Sequence, residues 1–271
     1  MIHIIRFKQA VTAFIAIAIA AAGLSALNVT QAQAATPLSS VQSGDLIRGQ
    51  AFSAVYYYGA DGLRYVFPNS KTYFTWYSNF DTVKFLSDAD LGTIQIGGNV
   101  TYKPGVTMLK IDSDLKTYAV DANGTLRHVS SEAIAINLYG STWNQNVHDI
   151  PDSFFGNYRI GSPISSDADF NPSVATATAT GINVDKGLIA PAEINIGASG
   201  YNPIDAHITT GKTIRFNNTD SIPHSATGDD LTWGSGTIQP GGSFVATFKK
   251  AGTFTFFDSY KSQNTGAIYV Q

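Results

Sequence analysis

The chain contains no cysteine. No disulfide can form, so whatever modules it contains must be held by core packing alone. Charge is also scarce: charged residues make up 14% of the chain and the formal net charge is -3. No basic patch is visible, which excludes the electrostatic footprint of a nucleic-acid binder. There is no G-x-S-x-G elbow and no H-E-x-x-H motif, and no Ser and His spacing suggests a triad. No enzymatic activity is therefore expected. After residue 27 no segment is apolar enough to cross a bilayer.

What is present begins with an export signal. His3, Arg6 and Lys8 form a basic start, Ala10 to Leu27 is an apolar run, and Ala32-Gln33-Ala34 is a small-residue cleavage site. Residues 1–34 are read as a signal peptide. The competing reading is an uncleaved anchor. With no cysteine after the apolar run, a lipoprotein anchor is excluded. The expected location is secreted or extracytoplasmic, with attachment to the cell surface left open and no membrane span after cleavage.

The 271 residues leave room for two domains. With 13 Tyr and 16 Phe, the composition suits β-rich structure. The first domain is expected over 44–160 and contains an internal repeat. Ala54 to Val66 resembles Thr117 to Val129, each reading strand, tight turn, strand. Asp61-Gly62 and Asn123-Gly124 are hairpin-turn signals, because these residues accept the positive φ such turns need. A short helix is expected after each hairpin, with Asn69-Ser70 and Ser130-Ser131-Glu132 as N-terminal caps. Ile94 to Lys103, with Gly97-Gly98 in its middle, reads as a further hairpin. Pro104-Gly105 marks a turn before a strand over 106–111. Through AVYYYGADGLRYVFPN, IGGNVTYKPG and DIPDSFF, this domain resembles repeats of uncharacterised secreted surface proteins of bacteria. That resemblance implies no particular activity.

Residues 161–181 are rich in Ser, Ala, Thr and Pro, and Ala175 to Thr180 alternates Ala with Thr. They read as an extended, flexible linker. The second domain is expected over 182–271. In Lys212 to Gln271, short runs of Thr, Ile, Phe, Val and Tyr alternate with Gly, Asn, Asp and Pro clusters, the pattern of a small β-sandwich. The order of its signals is G-x-x-I-x-F-x-N, Pro223-His224, P-G-G-S-F, A-G-T-F-T-F and G-x-I-x-V. In that order it resembles the plastocyanin-like (cupredoxin) family. The resemblance implies a Greek-key β-sandwich, so the chain as a whole is expected to be mainly β.

The resemblance also assigns positions. His224 matches the first His of the family's copper motif. Asp258 stands where the ligand Cys belongs, Lys261 where the second His belongs, and Asn264 where the axial Met belongs. A type-1 copper site needs a thiolate, two imidazoles and usually a weak axial Met. Without cysteine none can form within this chain. Two readings of the remainder stand side by side. In one, His224, Asp258 and a possible third ligand, His207, form a nitrogen–oxygen site for zinc or copper(II). In the other, His224 is an exposed loop residue, its ring hydrogen-bonded to a neighbouring backbone group, and Asp258 pairs with Lys261 or His224 to tie two loops together. A carboxylate beside the imidazole would raise the His pKa.

Other candidates have bland alternatives. Trp233, in a Gly-rich stretch, is either a recognition aromatic or a packing residue. Tyr56, Tyr57 and Tyr58 alternate faces if they form a strand, exposing at least one ring. Asp112, Asp114 and Asp121 raise the idea of calcium, but the twelve-residue loop with its terminal Glu is missing. His128 and His148 have no evident partners.

Three functions follow. The first is a secreted or cell-surface, non-enzymatic protein whose sandwich is a binding or structural module, with a cell-envelope or extracellular protein or a glycan as partner and no cofactor. The second, implied by the resemblance, is a copper carrier or electron-transfer protein with an atypical His/Asp site. The third is glycan binding through exposed aromatics.

Overall fold

The computed structural model describes residues 34–271. The proposed signal peptide lies outside the described residues except for Ala34. Two five-stranded sheets build the first half. The first comes from β1 (Leu46–Gly49), β2 (Tyr56–Tyr58), β3 (Arg64–Val66), helix α1 (Ser70–Trp76), β4 (Lys84–Leu86), helix α2 (Asp88–Thr93) and β5 (Ile96–Asn99). The second comes from β6 (Met108–Ile111), β7 (Asp114–Asp121), β8 (Thr125–His128), helix α3 (Glu132–Tyr139), β9 (Val147–Asp149), helix α4 (Asp152–Phe155) and β10 (Arg159–Ile160).

The two sheets have the same topology. The first runs β4-β1-β2-β3-β5 and the second, read in the matching direction, β9-β6-β7-β8-β10. In each, three antiparallel strands form the centre and a parallel strand is added at either edge. The central hairpins turn at Asp61-Gly62 and Asn123-Gly124, with Gly62 at φ 80°, Asn123 at 57° and Gly124 at 62°. Such angles favour Gly and Asn. The helices start on side-chain caps: Asn69 accepts from the Thr72 N–H, Ser87 from Asp90 and Ser131 from Ile134.

One expected hairpin is absent. Residues 94–103 supply a single strand, β5, parallel to β3. Gly97 is needed there, because a Cβ would come within 2.5 Å of the Tyr65 ring. Val100 to Tyr102 follow β5 and are buried.

The expected linker also differs from its composition. It carries helix α5 (Pro172–Thr178), capped by the Asn171 side chain. Ile164, Phe170 and Ala179 are buried. Ile164 and Phe170 pack with Met108, Ala119 and Ala135, so this segment covers one face of the second sheet. Thr176 Oγ donates to the Pro104 carbonyl at 2.9 Å. A few well-placed apolar residues are enough to dock a stretch whose average composition is that of a tether.

Helix α6 (Ile182–Lys186) follows and joins the halves. Ile182 sits in the core of the first sheet. Asn183 Oδ1 accepts the Ala60 N–H at 2.9 Å, and Asp185 Oδ1 accepts the Asn123 N–H at 2.8 Å. The short helix thus holds both hairpin turns. Beyond it run β11 (Ala192–Gly197), β12 (Gly200–Asn202), β13 (Asp205–Ile208), β14 (Thr213–Asn218), β15 (Thr227–Gly228), β16 (Ser243–Thr247), β17 (Gly252–Asp258) and β18 (Lys261–Val270). They form two four-stranded sheets, β12-β11-β14-β16 and β13-β18-β17-β15. Residues of both sheets share one core, including Ile194, Ile196, Ile214, Phe216, Phe256 and Ile268. The period-2 pattern is plain in β11: Ile194 and Ile196 point inward, Glu193 and Asn195 outward. The chain is thus mainly β.

The sandwich docks against the first sheet. Thr213 Oγ donates to the Asp61 carbonyl at 3.0 Å, and Val245 packs against the core around Tyr57 and Tyr65. The described residues form one compact unit. Among the described residues no helix is long and apolar enough to cross a membrane.

Candidate functional site

The loop after β14 and the loop after β17 meet at one end of the sandwich. Asn218, the last residue of β14, donates from Nδ2 to the carbonyls of Ile222 and Ile238, both at 2.8 Å. These bonds fix the path of Thr219 to Pro223. His224 then exchanges backbone hydrogen bonds with Ile238, His224 N–H to Ile238 at 3.1 Å and the reverse at 2.8 Å. Its ring is carried inward. His224 is fully buried, not exposed as its loop position suggested.

A register shift between Phe257 and Asp258 ends β17 and turns the Asp258 side chain toward that ring. Asp258 is also fully buried. Its Oδ2 lies 2.6 Å from His224 Nδ1. Its Oδ1 accepts the N–H groups of Ser225 and Tyr260, each at 3.0 Å. On the other side of the imidazole, Asp220 Oδ2 lies 3.1 Å from Nε2. The ring is therefore held between two carboxylates rather than against a backbone group. Ser225 continues the stitching: its Oγ accepts the Ser259 N–H at 2.7 Å, and its carbonyl accepts the Tyr201 hydroxyl at 2.6 Å.

The electrostatics follow from this arrangement. Burial works against a charge on His224, but the hydrogen bonds and charges of Asp258 and Asp220 outweigh it and hold its pKa above the ordinary imidazole value. The hydrogen bond from His224, with another from the Ser221 N–H, holds Asp220 below the usual carboxylate range. Burial pushes the Tyr201 hydroxyl up, and the Asp258 charge adds to this. A neutral imidazole would leave one ring nitrogen lone pair facing a carboxylate. The imidazolium, with two N–H donors, satisfies both. The site is a charge-assisted cross-link between two loops.

The other residues of the sequence motif lie apart. Lys261 Nζ donates to the Ala198 carbonyl at 2.9 Å, on the turn between β11 and β12, and makes no ion pair with Asp258. Asn264 packs against Gly200, with its Nδ2 buried and without a hydrogen-bond partner. His207 is on edge strand β13, exposed, its ring stacked 4.7 Å from that of Tyr269. The structure brings His224 and Asp258 together, adds Asp220, and leaves Lys261, Asn264 and His207 outside. Asp220 was missed in the sequence; its signal is position alone, four residues before His224 in the same loop.

Trp233 stacks on Phe216 and meets Phe248 edge-on, so it packs the sandwich core. In β2 only Tyr57 is buried, with Tyr56 and Tyr58 half-buried on the opposite face. Asp114 lies 3.8 Å from Lys116 and accepts the Tyr118 hydroxyl, while Asp121 pairs with Arg127 at 3.3 Å. His148 Nδ1 is 3.2 Å from the Tyr102 hydroxyl. Among the described residues no group of three or more His, Cys, Asp or Glu is placed to hold a metal ion.

The chain matches no known protein family and no curated protein. Among solved structures it is similar to a purple cupredoxin from Nitrosopumilus maritimus, at 24% identity over 30% of this chain and 99% of that one, with a TM-score of 0.29. It is similar also to a methionine-to-alanine mutant of amicyanin in its Cu(I) form, at 19% identity over 30% and 82% of the two chains, TM-score 0.29. A reduced tryptophan-to-tyrosine amicyanin mutant gives the same values. Such values say nothing of this chain's chemistry.

The donor set decides whether a blue-copper centre fits. That centre takes a thiolate, two imidazoles and a weak axial ligand. The chain has no thiolate, and this site offers a single imidazole, that of His224, with both nitrogens engaged by carboxylates. These residues do not fit the metal.

Proposed function

We propose that this is an exported, non-enzymatic protein. Its sandwich is a cupredoxin-like module that serves binding or structure rather than metal chemistry. The observation that carries the reading is the enclosure of His224. Both ring nitrogens face carboxylates within hydrogen-bond distance, and no part of the side chain is exposed. A metal entering there would have to displace a charge-assisted hydrogen bond inside a closed site. The cross-link does for the two loops what a bound metal does for a metalloprotein: it ties elements distant in sequence. Location outside the cytoplasm rests on the export signal at residues 1–34, and the partner class is an envelope or extracellular protein or a glycan.

Titration of the purified protein with copper(II) and zinc(II), followed by calorimetry and electron paramagnetic resonance, tests this. The expected result is no stoichiometric binding at neutral pH and no intense absorption near 600 nm. One-to-one binding abolished by His224→Ala would overturn it. Mature protein beginning at Ala35 would support export, whereas protein found only in the cytoplasm would refute it.

Glycan contact through aromatics has a specific observation in its favour, though not at Trp233. Phe74 and Phe80 are 51% and 48% exposed beside a cavity of about 500 Å³ whose walls include Phe67, Tyr73 and Phe154. Flat exposed rings of this kind suit sugar faces. A glycan array comparing the protein with Phe80→Ala tests this reading, and an unchanged binding profile would remove it.

A further inference from the structure

Between the first sheet and the sandwich lies a second cavity, of about 410 Å³. That size falls within the range of small-molecule sites, roughly 300–1,000 Å³. Its floor on one side is the Tyr65 ring, which lies across β5 over Gly97. Three lysines also line it: Lys186 from α6, Lys212 from the turn before β14 and Lys249 from the loop after β16.

The charge in this cleft is only partly balanced by the protein: Asp61 acts on Lys186 and Lys212, and Asp185 on Lys186. None of the ion pairs among the described residues involves Lys186, Lys212 or Lys249. Lys212 Nζ has a long contact, 3.4 Å, to the Gly187 carbonyl. The Lys186 ammonium stands 5.4 Å from the centre of the Tyr65 ring. The one carboxylate in the lining, Asp61, forms no ion pair with the lysines, and its oxygens are taken by hydrogen bonds. Its Oδ2 takes the Tyr65 hydroxyl at 2.6 Å and its Oδ1 the Leu63 N–H at 3.3 Å. Three ammonium groups against one hydrogen-bonded carboxylate leave the cleft positive. Lys186 is half-buried, and burial pushes its pKa down. A partly desolvated cation without an ion-pair partner is costly, and a bound anion would relieve that cost.

The geometry points to a binding site, in the cleft between the first sheet and the sandwich, for a small organic polyanion carrying at least two carboxylate or phosphate groups. The lysines sit on separate elements and present point charges rather than planar forks. They suit charges spaced along a ligand better than a single bidentate group. Gly187 and Gly211, at φ 61° and 85°, have no atom within 4 Å of where a Cβ would stand, which leaves the rim open. A ligand in this position touches both halves of the chain, so binding stabilises their docked arrangement by mass action. The site shares no residue with the His224 cross-link, and its test is independent of the metal question.

Isothermal calorimetry and thermal melting at low ionic strength with trigalacturonate, inorganic pyrophosphate and neutral maltotriose test the site. The expected result is saturable one-to-one binding of at least one anion, a raised Tm, and no response to maltotriose. Trigalacturonate alone would identify a uronate saccharide as the source, pyrophosphate alone an organic phosphate. Lys212→Gln and Lys186→Gln should each raise Kd about tenfold, the worth of one lost charge contact at low salt. Lys249→Gln, an exposed position, keeps the test open if Lys186→Gln fails to fold. Lys116→Gln, on β7 and outside the cleft, should leave Kd unchanged. Absence of saturation with both anions, equal weakening by Lys116→Gln, or no weakening by any cleft variant would overturn the site.

Discussion

The Nδ1 of His224 lies 2.6 Å from the Oδ2 of Asp258, and neither side chain exposes any surface. A carboxylate and an imidazole this close inside a protein are coupled: removing His224 leaves Asp258 buried without its counter-charge, and removing Asp258 leaves Nδ1 without its acceptor while Asp220 still faces Nε2. Breaking a buried pair in this way costs about 3–5 kcal/mol. His224→Ala and Asp258→Ala should each lower the unfolding free energy by that order. The double variant should cost much less than the sum of the two. Urea unfolding of the three variants measures the coupling, and strict additivity would mean the pair carries no special energy.

The pH dependence has a definite sign. His224 is raised from an ordinary value of 6.5, so its contribution is fully present below pH 6.5 and is lost as pH rises through the folded-state value. Asp220 is lowered from 3.8, so its contribution is present above pH 3.8 and is lost as pH falls through its depressed value. The cross-link is therefore strongest between about pH 4 and 6.5 and weakens on the alkaline side. The urea midpoint of the protein should decline above pH 6.5. In His224→Gln this alkaline decline should be shallower.

Lys261 supplies a contrast. It stands at a motif position, yet its ammonium reaches only the Ala198 carbonyl at the surface. Lys261→Ala should change stability by about 0.5 kcal/mol or less, as surface substitutions usually do. A loss approaching that of His224→Ala would place Lys261 in the cross-link after all.

The junction of the two halves rests on a tight approach. Gly62 has φ 80°, and a Cβ there would stand 2.7 Å from Arg215 Nη2 and 3.1 Å from Val245 Cγ2. Gly62→Ala should cost about 1–3 kcal/mol from backbone strain alone. It should also loosen docking, separating one thermal transition into two by calorimetry. A single transition at unchanged Tm would contradict this account of the interface.

Much of this was legible in the residues, for physical reasons. Asp61-Gly62 and Asn123-Gly124 mark the two central hairpins, because positive φ at a turn restricts residue choice sharply. Asn69 and Ser131 announce their helices by capping chemistry. The short β-type runs between Gly, Asn, Asp and Pro clusters from Lys212 to Gln271 announce a small sandwich. The parallel edge strands β4, β5, β9 and β10 were not visible, since runs of two to four residues carry too little periodicity. The docking of 161–181 depends on Ile164, Phe170 and Ala179 meeting surfaces distant in sequence, which composition does not encode. Asp220 escaped for a similar reason: its role is set by where Asn218 sends the loop, not by its neighbours.

The most direct test is the protonation of the His224 ring at neutral pH, read from long-range proton–nitrogen NMR correlations. Enclosure between Asp258 and Asp220 predicts that both ring nitrogens keep their protons to a higher pH than an ordinary imidazole, whose value is 6.5. A ring that gives up its second proton at or below pH 6.5, leaving one nitrogen bare to take a metal, would contradict it.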